Sequence, residues 1–191
     1  MDVLEAIRTT RAMRRLDPAR EVSEADLLTI LEAATRGPTG GNRQPVRWLA
    51  VRDPELRRRV GEVYREQAYR ALEGAPDDAM ARSSYHLADH LGEAPVLVIP
   101  CAAGDAGRLP ASVYPSAQNL MLAARALGLG TTLTTIHRVN EAAVKEILGI
   151  PPDVHTFAII PVGYPLGRWG QGPRKPVSEV AYRDRWGQPL S

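Results

Sequence analysis

The stretch that most restricts this chain is its longest apolar run, Ala94–Ala103, APVLVIPCAA. A bilayer span needs about 20 consecutive apolar residues. A run this short, interrupted by two prolines, is instead a strand over PVLVIPC. Helical stripes lie on both sides of it. Asp2 is placed to cap a short helix with Val3, Leu4 and Ile7 on one side. SEAD at Ser23 is a variant capping box before Leu27, Leu28, Leu31 and Ala34, and Gly37-Pro38 ends that helix. VRWLAV reads as a strand, and Asp53-Pro54 starts a helix carrying Leu56, Val60, Val63 and Tyr64. Residues 73–92 are polar and only partly helix-like. Val113, Ala117, Leu120, Met121, Ala124 and Leu127 recur at helical spacing before Gly128. TTLTTI reads as a strand, Asn140 as the cap of a helix ending at Gly149, and HTFAIIPVG as a last strand. About four strands interleaved with five or six helices fit an α/β or α+β layered domain.

From Tyr164 the texture changes. Gly and Pro argue against a helix, whereas Trp169, Val177, Val180, Tyr182 and Trp186 argue against a free tail. The compromise is an extended arm that packs on something, for example a second copy of the chain.

Composition excludes more than it selects. Apolar residues make up 44% and charged residues 24%, with a net charge of +2. That field is too small to point to a nucleic-acid or membrane partner. All but two of the 24 basic residues are arginines, the exceptions being Lys145 and Lys175. Most arginines reflect composition; a few could sit where a planar, permanent cation meets phosphate. Cys101 is the only cysteine, and its apolar surroundings point to an inert thiol rather than a nucleophile. The start, MDVLEAIR, lacks a basic, hydrophobic leader, so the cytoplasm is the expected location.

Several constellations could carry chemistry. Arg11 and Arg14, three residues apart in RAMRR, could face one anion; a solvated basic turn is the simpler alternative. Between helix and strand lies GPTGGNRQP. Its glycines let backbone approach a ligand, and Asn42 and Gln44 carry amides suited to the edge of a planar heterocycle. Arg174-Lys175 forms a compact cationic pair in the arm. His86 and His90 echo a zinc-binding spacing, with Asp89 in place of Glu; no third ligand is identifiable, and solvated histidines are the simpler reading. No nucleophile elbow and no carboxylate pair stands out, so in an enzyme a bound cofactor could carry the chemistry.

Taken together, IRTTRAMRRL, GPTGGNRQPVRWLAV, NLMLAARALGLGTTLTTIH, EILGIPPDVHTFAIIPVGYP and PRKPVSEV, in that order, resemble the nitroreductase family of FMN-dependent flavoproteins over nearly the whole chain. The resemblance implies an α+β fold with a mixed sheet flanked by helices. Residues 1–163 would form the FMN-binding body and 164–191 an arm of the same domain, exchanged in a homodimer that holds FMN at its interface. It places Arg11, Arg14 and Arg174 at the FMN phosphate and ribityl end. It places Pro38, Thr39, Asn42 and Gln44 on the loop reaching the flavin, commonly from the other chain, and Leu133, Thr134 and Thr135 beside the isoalloxazine ring. Two departures stand out. Thr10-Arg11-Ala12 replaces the frequent Arg-Arg-Ser, and Val46 replaces the usual Trp after Gln-Pro, with Trp48 two residues later.

The implied activity is ping-pong electron transfer from NADH or NADPH through FMN to a small acceptor such as a nitroaromatic or quinone, with no side-chain nucleophile. A non-catalytic FMN-binding or storage protein is the alternative, and a zinc hydrolase using His86 and His90 the remote one.

Overall fold

A computed structural model describes residues 1–190. Three helix starts are built around the oxygen-bearing side chains expected of them. Asp2 Oδ1 accepts the Glu5 N–H at 2.8 Å before α1 (Val3–Thr9). Ser23 Oγ accepts the Asp26 N–H at 3.0 Å before α2 (Glu24–Thr35). Asp53 Oδ1 accepts the Leu56 N–H at 2.8 Å before α3 (Pro54–Ala71). Each bond satisfies an N–H that the helix leaves without an internal partner. Asp78 does the same for α4 (Ala79–His90), in the stretch whose sequence is only partly helix-like. Its buried set is sparse, Ala81, Leu87 and Ala88, so little periodicity shows. Asn140, expected as a cap, makes no capping bond; α6 (Glu141–Leu148) follows directly from a 3₁₀ turn over Ile136–Asn140.

The sheet contains β1 (Arg47–Val51), β2 (Val96–Ala103), β3 (Gly130–Thr131), β4 (Val154–Thr156) and β5 (Ile160–Gly163), in the order β1-β2-β5-β3, with β4 also on β2. All ladders are antiparallel; the parallel element is a single bridge between Ala12 and Thr131.

Two expected strands are corrected. HTFAIIPVG divides into β4 and β5 because it faces Pro100 of β2, which has no N–H to donate. Phe157 N–H still reaches the Pro100 carbonyl at 3.0 Å, but Ile159 turns to Thr134, exchanging bonds of 2.9 and 3.1 Å. TTLTTI is correspondingly only the end of β3, then that bridge, then the 3₁₀ turn.

Alternation along β2 divides the core. Val96 and Val98 face one cluster with Leu27 and Ile30 of α2 and Ala117 and Leu120 of α5 (Pro110–Ala126). Leu97 and Ile99 face another with Val60 and Tyr64 of α3, Leu87 of α4 and Val144 of α6. Helices therefore cover both faces, and each fully buried aliphatic side chain contributes roughly 1.5–3 kcal/mol. Along α1 the expected inward face is reversed: Ala6 is buried, while Val3, Leu4 and Ile7 are 65%, 59% and 51% exposed. Leu28 of α2 is likewise exposed, its place in the stripe taken by Ile30.

The arm is anchored at its root. The Leu166 N–H donates to the Arg15 carbonyl at 3.0 Å, and Arg125 lies 4.2 Å over the Trp169 ring. Beyond this, the single-turn α7 (Val177–Val180) and the Tyr182–Pro189 bridge leave Val177, Val180 and Trp186 exposed.

Candidate functional site

The basic turn is fixed by what lies beneath it. Met13 N–H donates to the Thr131 carbonyl at 2.8 Å, and the Met13 side chain is buried. Close approach demands glycine at position 130, where a Cβ would lie 2.9 Å from Met13 Cβ and 3.0 Å from a Leu16 methyl. With Met13 held inward, Arg11 and Arg14 turn to a cleft of about 330 Å³ that also takes in Gln118 and Met121 of α5, Leu133, and Arg174 from the arm. Residues far apart in sequence thus bring three guanidinium groups together. Neither Arg11 nor Arg14 has an ion pair or hydrogen bond among the described residues, and Arg14 is half-buried. Arg174 bonds only to the neighbouring Pro173 carbonyl, at 2.9 Å. Three cations with no carboxylate partner, one of them half-buried, fit a multiply charged anion with several acceptor oxygens, such as a phosphate monoester.

The glycine-bearing loop is held just as firmly. Gly37 sits so close to α5 that a Cβ there would be 2.3 Å from Ser116 Oγ. The loop then makes a 3₁₀ turn with Gly41, Asn42 and Gln44 at φ 59°, 52° and 49°. Two non-glycine residues in this region cost about 1 kcal/mol or more each. They are retained by bonds from the Gln44 N–H to Thr39 Oγ1 at 3.2 Å and from Gln44 Nε2 to Asn42 Oδ1 at 3.1 Å. The two amides do share a side, through left-handed residues rather than an extended strand.

Thr39, Asn42 and Gln44 border a second cleft, of about 400 Å³, with Trp48 and Ser116. The single chain therefore does not bring the loop into the arginine cleft, and Pro38 lines neither. Thr134 and Thr135 are outside both as well. Thr134 is buried, its hydroxyl 3.0 Å from that of Tyr64 and its N–H committed to Ile159. Thr135 begins the following 3₁₀ turn. Gln118 went unnoticed in the sequence; it is exposed and lies outside the apolar stripe of α5, so periodicity gives no signal for it.

Behind this segment lies a closed polar network. Thr156 donates its N–H and hydroxyl to Glu141 Oε1, the hydroxyl at 2.8 Å. That leaves Thr156 Oγ1 to accept from His137 Nε2–H at 3.0 Å. His137 is fully buried, with Nδ1 unpartnered, and burial pushes its pKa down to about 4. Burial alone would raise the Glu141 pKa, but the two Thr156 bonds outweigh it and hold the carboxyl below its ordinary value.

The other candidates do not assemble. Burial pushes the Cys101 thiol up to about 11. The His86 and His90 rings lie 4.3 Å apart, and His90 Nδ1 is 2.9 Å from Glu93 Oε2. Among the described residues, no group of three or more His, Cys, Asp or Glu side chains is placed to hold a metal ion. No helix among them is long and apolar enough to cross a membrane.

Fold and site together define an α+β protein, with helices on both sheet faces and a cleft lined by three arginines. The Nitroreductase family model matches residues 7–164, and the chain belongs to that family. It is 32% identical over 171 residues to a Methanothermobacter thermautotrophicus protein provisionally named NADH dehydrogenase/NAD(P)H nitroreductase, covering 86% of this chain and 78% of that one. It is 29% identical over 186 residues to the iodotyrosine deiodinase of Thermotoga neapolitana, covering 95% of each. The fold matches that of NfnB, an FMN and NADPH-dependent nitroreductase from Sphigopyxis sp. strain HMH, with a TM-score of 0.79 at 22% identity over 97% of this chain and 100% of that one.

Proposed function

We propose that the protein is an FMN-dependent oxidoreductase that takes electrons from NADH or NADPH and passes them to a small acceptor, a nitroaromatic or quinone, in alternating half-reactions. The observation that carries this reading is the convergence of Arg11, Arg14 and Arg174, none of them paired with a carboxylate among the described residues, on one cleft of a nitroreductase-family chain. When bound, FMN supplies the two-electron chemistry at its N5.

The chain's own part is binding and orientation. Arg11, Arg14 and Arg174 hold the phosphate, and Gln118 offers an amide beside it. Leu133 gives an apolar wall for the ring. Thr134, locked by Tyr64 and Ile159, fixes the backbone on which Leu133 sits. Pro38, Thr39, Asn42 and Gln44 act from the second subunit of a homodimer, presenting amides to the edge of the ring. The exposed Val3, Leu4 and Ile7 of α1 and the arm tip at Val177, Val180 and Trp186 are apolar faces that dimerisation would cover. In this reading residues 1–163 are the body and 164–191 an arm laid on the partner.

The likeness to an iodotyrosine deiodinase favours a second acceptor class, halogenated phenols. The test is the visible spectrum of the purified protein, followed by anaerobic addition of NADH or NADPH and then of an acceptor. Flavin bands bleached by nucleotide and restored by a nitroaromatic or quinone are expected. Restoration by iodotyrosine alone moves the substrate to the second class. A flavin reduced by neither nucleotide leaves a storage protein. A colourless monomer that ignores added FMN ends the proposal.

A further inference from the structure

The basic turn has a second side. Arg11 and Arg14 also line a separate cleft of about 330 Å³, whose other walls carry Arg15, Arg168 of the arm root and Ser83 of α4. Among the described residues no carboxylate lines it. Among the described residues Arg15 and Arg168 have no ion pair and no side-chain hydrogen bond, and the half-buried Ser83 hydroxyl has no partner. Seven other arginines, Arg36, Arg52, Arg58, Arg65, Arg70, Arg82 and Arg108, each meet a carboxylate. Four guanidinium groups on one cleft repel, and an anion seated among them would offset that. One phosphate in the first cleft can engage Arg11 and Arg14 from one side only. Arg15 and Arg168 remain unanswered on the other.

We infer that this second cleft receives the 2′-phosphate of NADPH, with Arg15 and Arg168 as forked donors and Ser83 as a neutral one, and so makes the enzyme prefer NADPH to NADH. The inference rests on the oxidoreductase reading for its nucleotide, but the anion site stands on the cleft itself. A phosphate monoester fits better than a carboxylate because the donors approach from three directions: the turn, the arm root and α4. Arg15 and Arg168 are exposed, and the turn is anchored through main-chain bonds from Met13 and Leu166. Their side chains can therefore be removed without unmaking the fold.

The test is calorimetric titration of adenosine 2′,5′-bisphosphate and adenosine 5′-monophosphate into protein incubated with FMN, with the flavin spectrum recorded in parallel. The bisphosphate is expected to bind at least about tenfold more tightly, a charge-assisted bond being worth about that factor. R15A/R168A should abolish the difference, S83A should reduce it about threefold, and both should keep their flavin. In turnover, the double variant should raise KM for NADPH about tenfold or more while leaving KM for NADH within twofold. Equal affinity for the two adenosine nucleotides overturns the inference, as does a preference that survives R15A/R168A. Loss of flavin in the double variant also overturns it, by making this cleft part of the first anion site. Protein that binds no flavin yet prefers the bisphosphate keeps the cleft assignment and removes the oxidoreductase reading instead.

Discussion

Two arginine-rich regions of this molecule look alike in sequence and behave oppositely in structure. Along α3, Arg58 meets Glu55 at 2.6 Å and also Glu62, Arg65 meets Asp89 at 2.8 Å, and Arg70 meets Glu66 at 2.6 Å. In the turn after α1, Arg11, Arg14 and Arg15 meet no carboxylate at all among the described residues. Arg58, Arg65 and Arg70 have partners within one helical turn or on the adjacent α4, so their charge is answered locally. The turn arginines alternate with Met13 and Leu16, which dock inward and leave the guanidinium groups lining open clefts. Arginine content is therefore uninformative in one place and diagnostic in the other. What separates them is whether the fold supplies the counter-charge.

The largest effect should come from disturbing the unanswered set. Arg14→Ala should weaken FMN binding about 10- to 100-fold, because a half-buried charge-assisted contact contributes roughly 1.5–3 kcal/mol. Arg174→Ala, on an exposed arm, should cost less. Flavin fluorescence on titration measures both, and an unchanged affinity in the two variants breaks the contrast.

Polar groups already satisfied inside the chain should govern stability rather than ligand affinity. His137 is the sharpest case. Its pKa falls from an ordinary 6.5 to about 4 on burial. As pH drops below 6.5 the unfolded chain takes up a proton that the folded chain refuses until about pH 4, so stability declines across that window, by up to about 3 kcal/mol. Glu141, held below its ordinary value, adds to the loss in the same direction at still lower pH. His137→Gln can keep the bond to Thr156 but cannot titrate. Urea unfolding between pH 7 and 4 should therefore show a flatter acid limb, with the affinity for FMN at pH 7 unchanged. A limb as steep as that of the natural protein would assign the acid sensitivity elsewhere.

Tyr64→Phe is next, leaving the buried Thr134 hydroxyl without its 3.0 Å partner. A loss of about 1–2 kcal/mol is expected in urea unfolding. A tenfold loss of flavin affinity with no loss of stability would place Thr134 in the cleft after all.

These cases mark what the sequence could and could not disclose. Caps at Asp2, Ser23 and Asp53 were legible because the capping oxygen and the N–H it serves lie three residues apart. That Arg11, Arg14 and Arg174 line one cleft was legible only through the resemblance, from the order of the segments. The split between β4 and β5 was not, because its cause, Pro100, lies far away in the chain on the strand opposite. Nor could sequence tell which way Thr134 turns: a β-branched residue suits a strand face, a bridge or a buried pair equally well. The reversed face of α1 misleads for a different reason. Val3, Leu4 and Ile7 have the spacing of a core stripe, and periodicity cannot say whether the apolar side meets its own chain or another.

The smallest effect should come from the answered arginines. In Arg58, bonding to Glu55 and the charges of Glu55 and Glu62 raise the pKa above the ordinary guanidinium value, which on its face suggests a strong contribution. The group is exposed, however, and water and salt screen such pairs, while ordering long side chains costs entropy. Arg58→Ala and Arg70→Ala should each move the thermal midpoint by no more than about 2 °C and leave flavin and nucleotide affinities unchanged. Should either variant lose FMN as Arg14→Ala does, local counter-charge would cease to distinguish the two regions, and the anion clefts would have to be argued from shape alone.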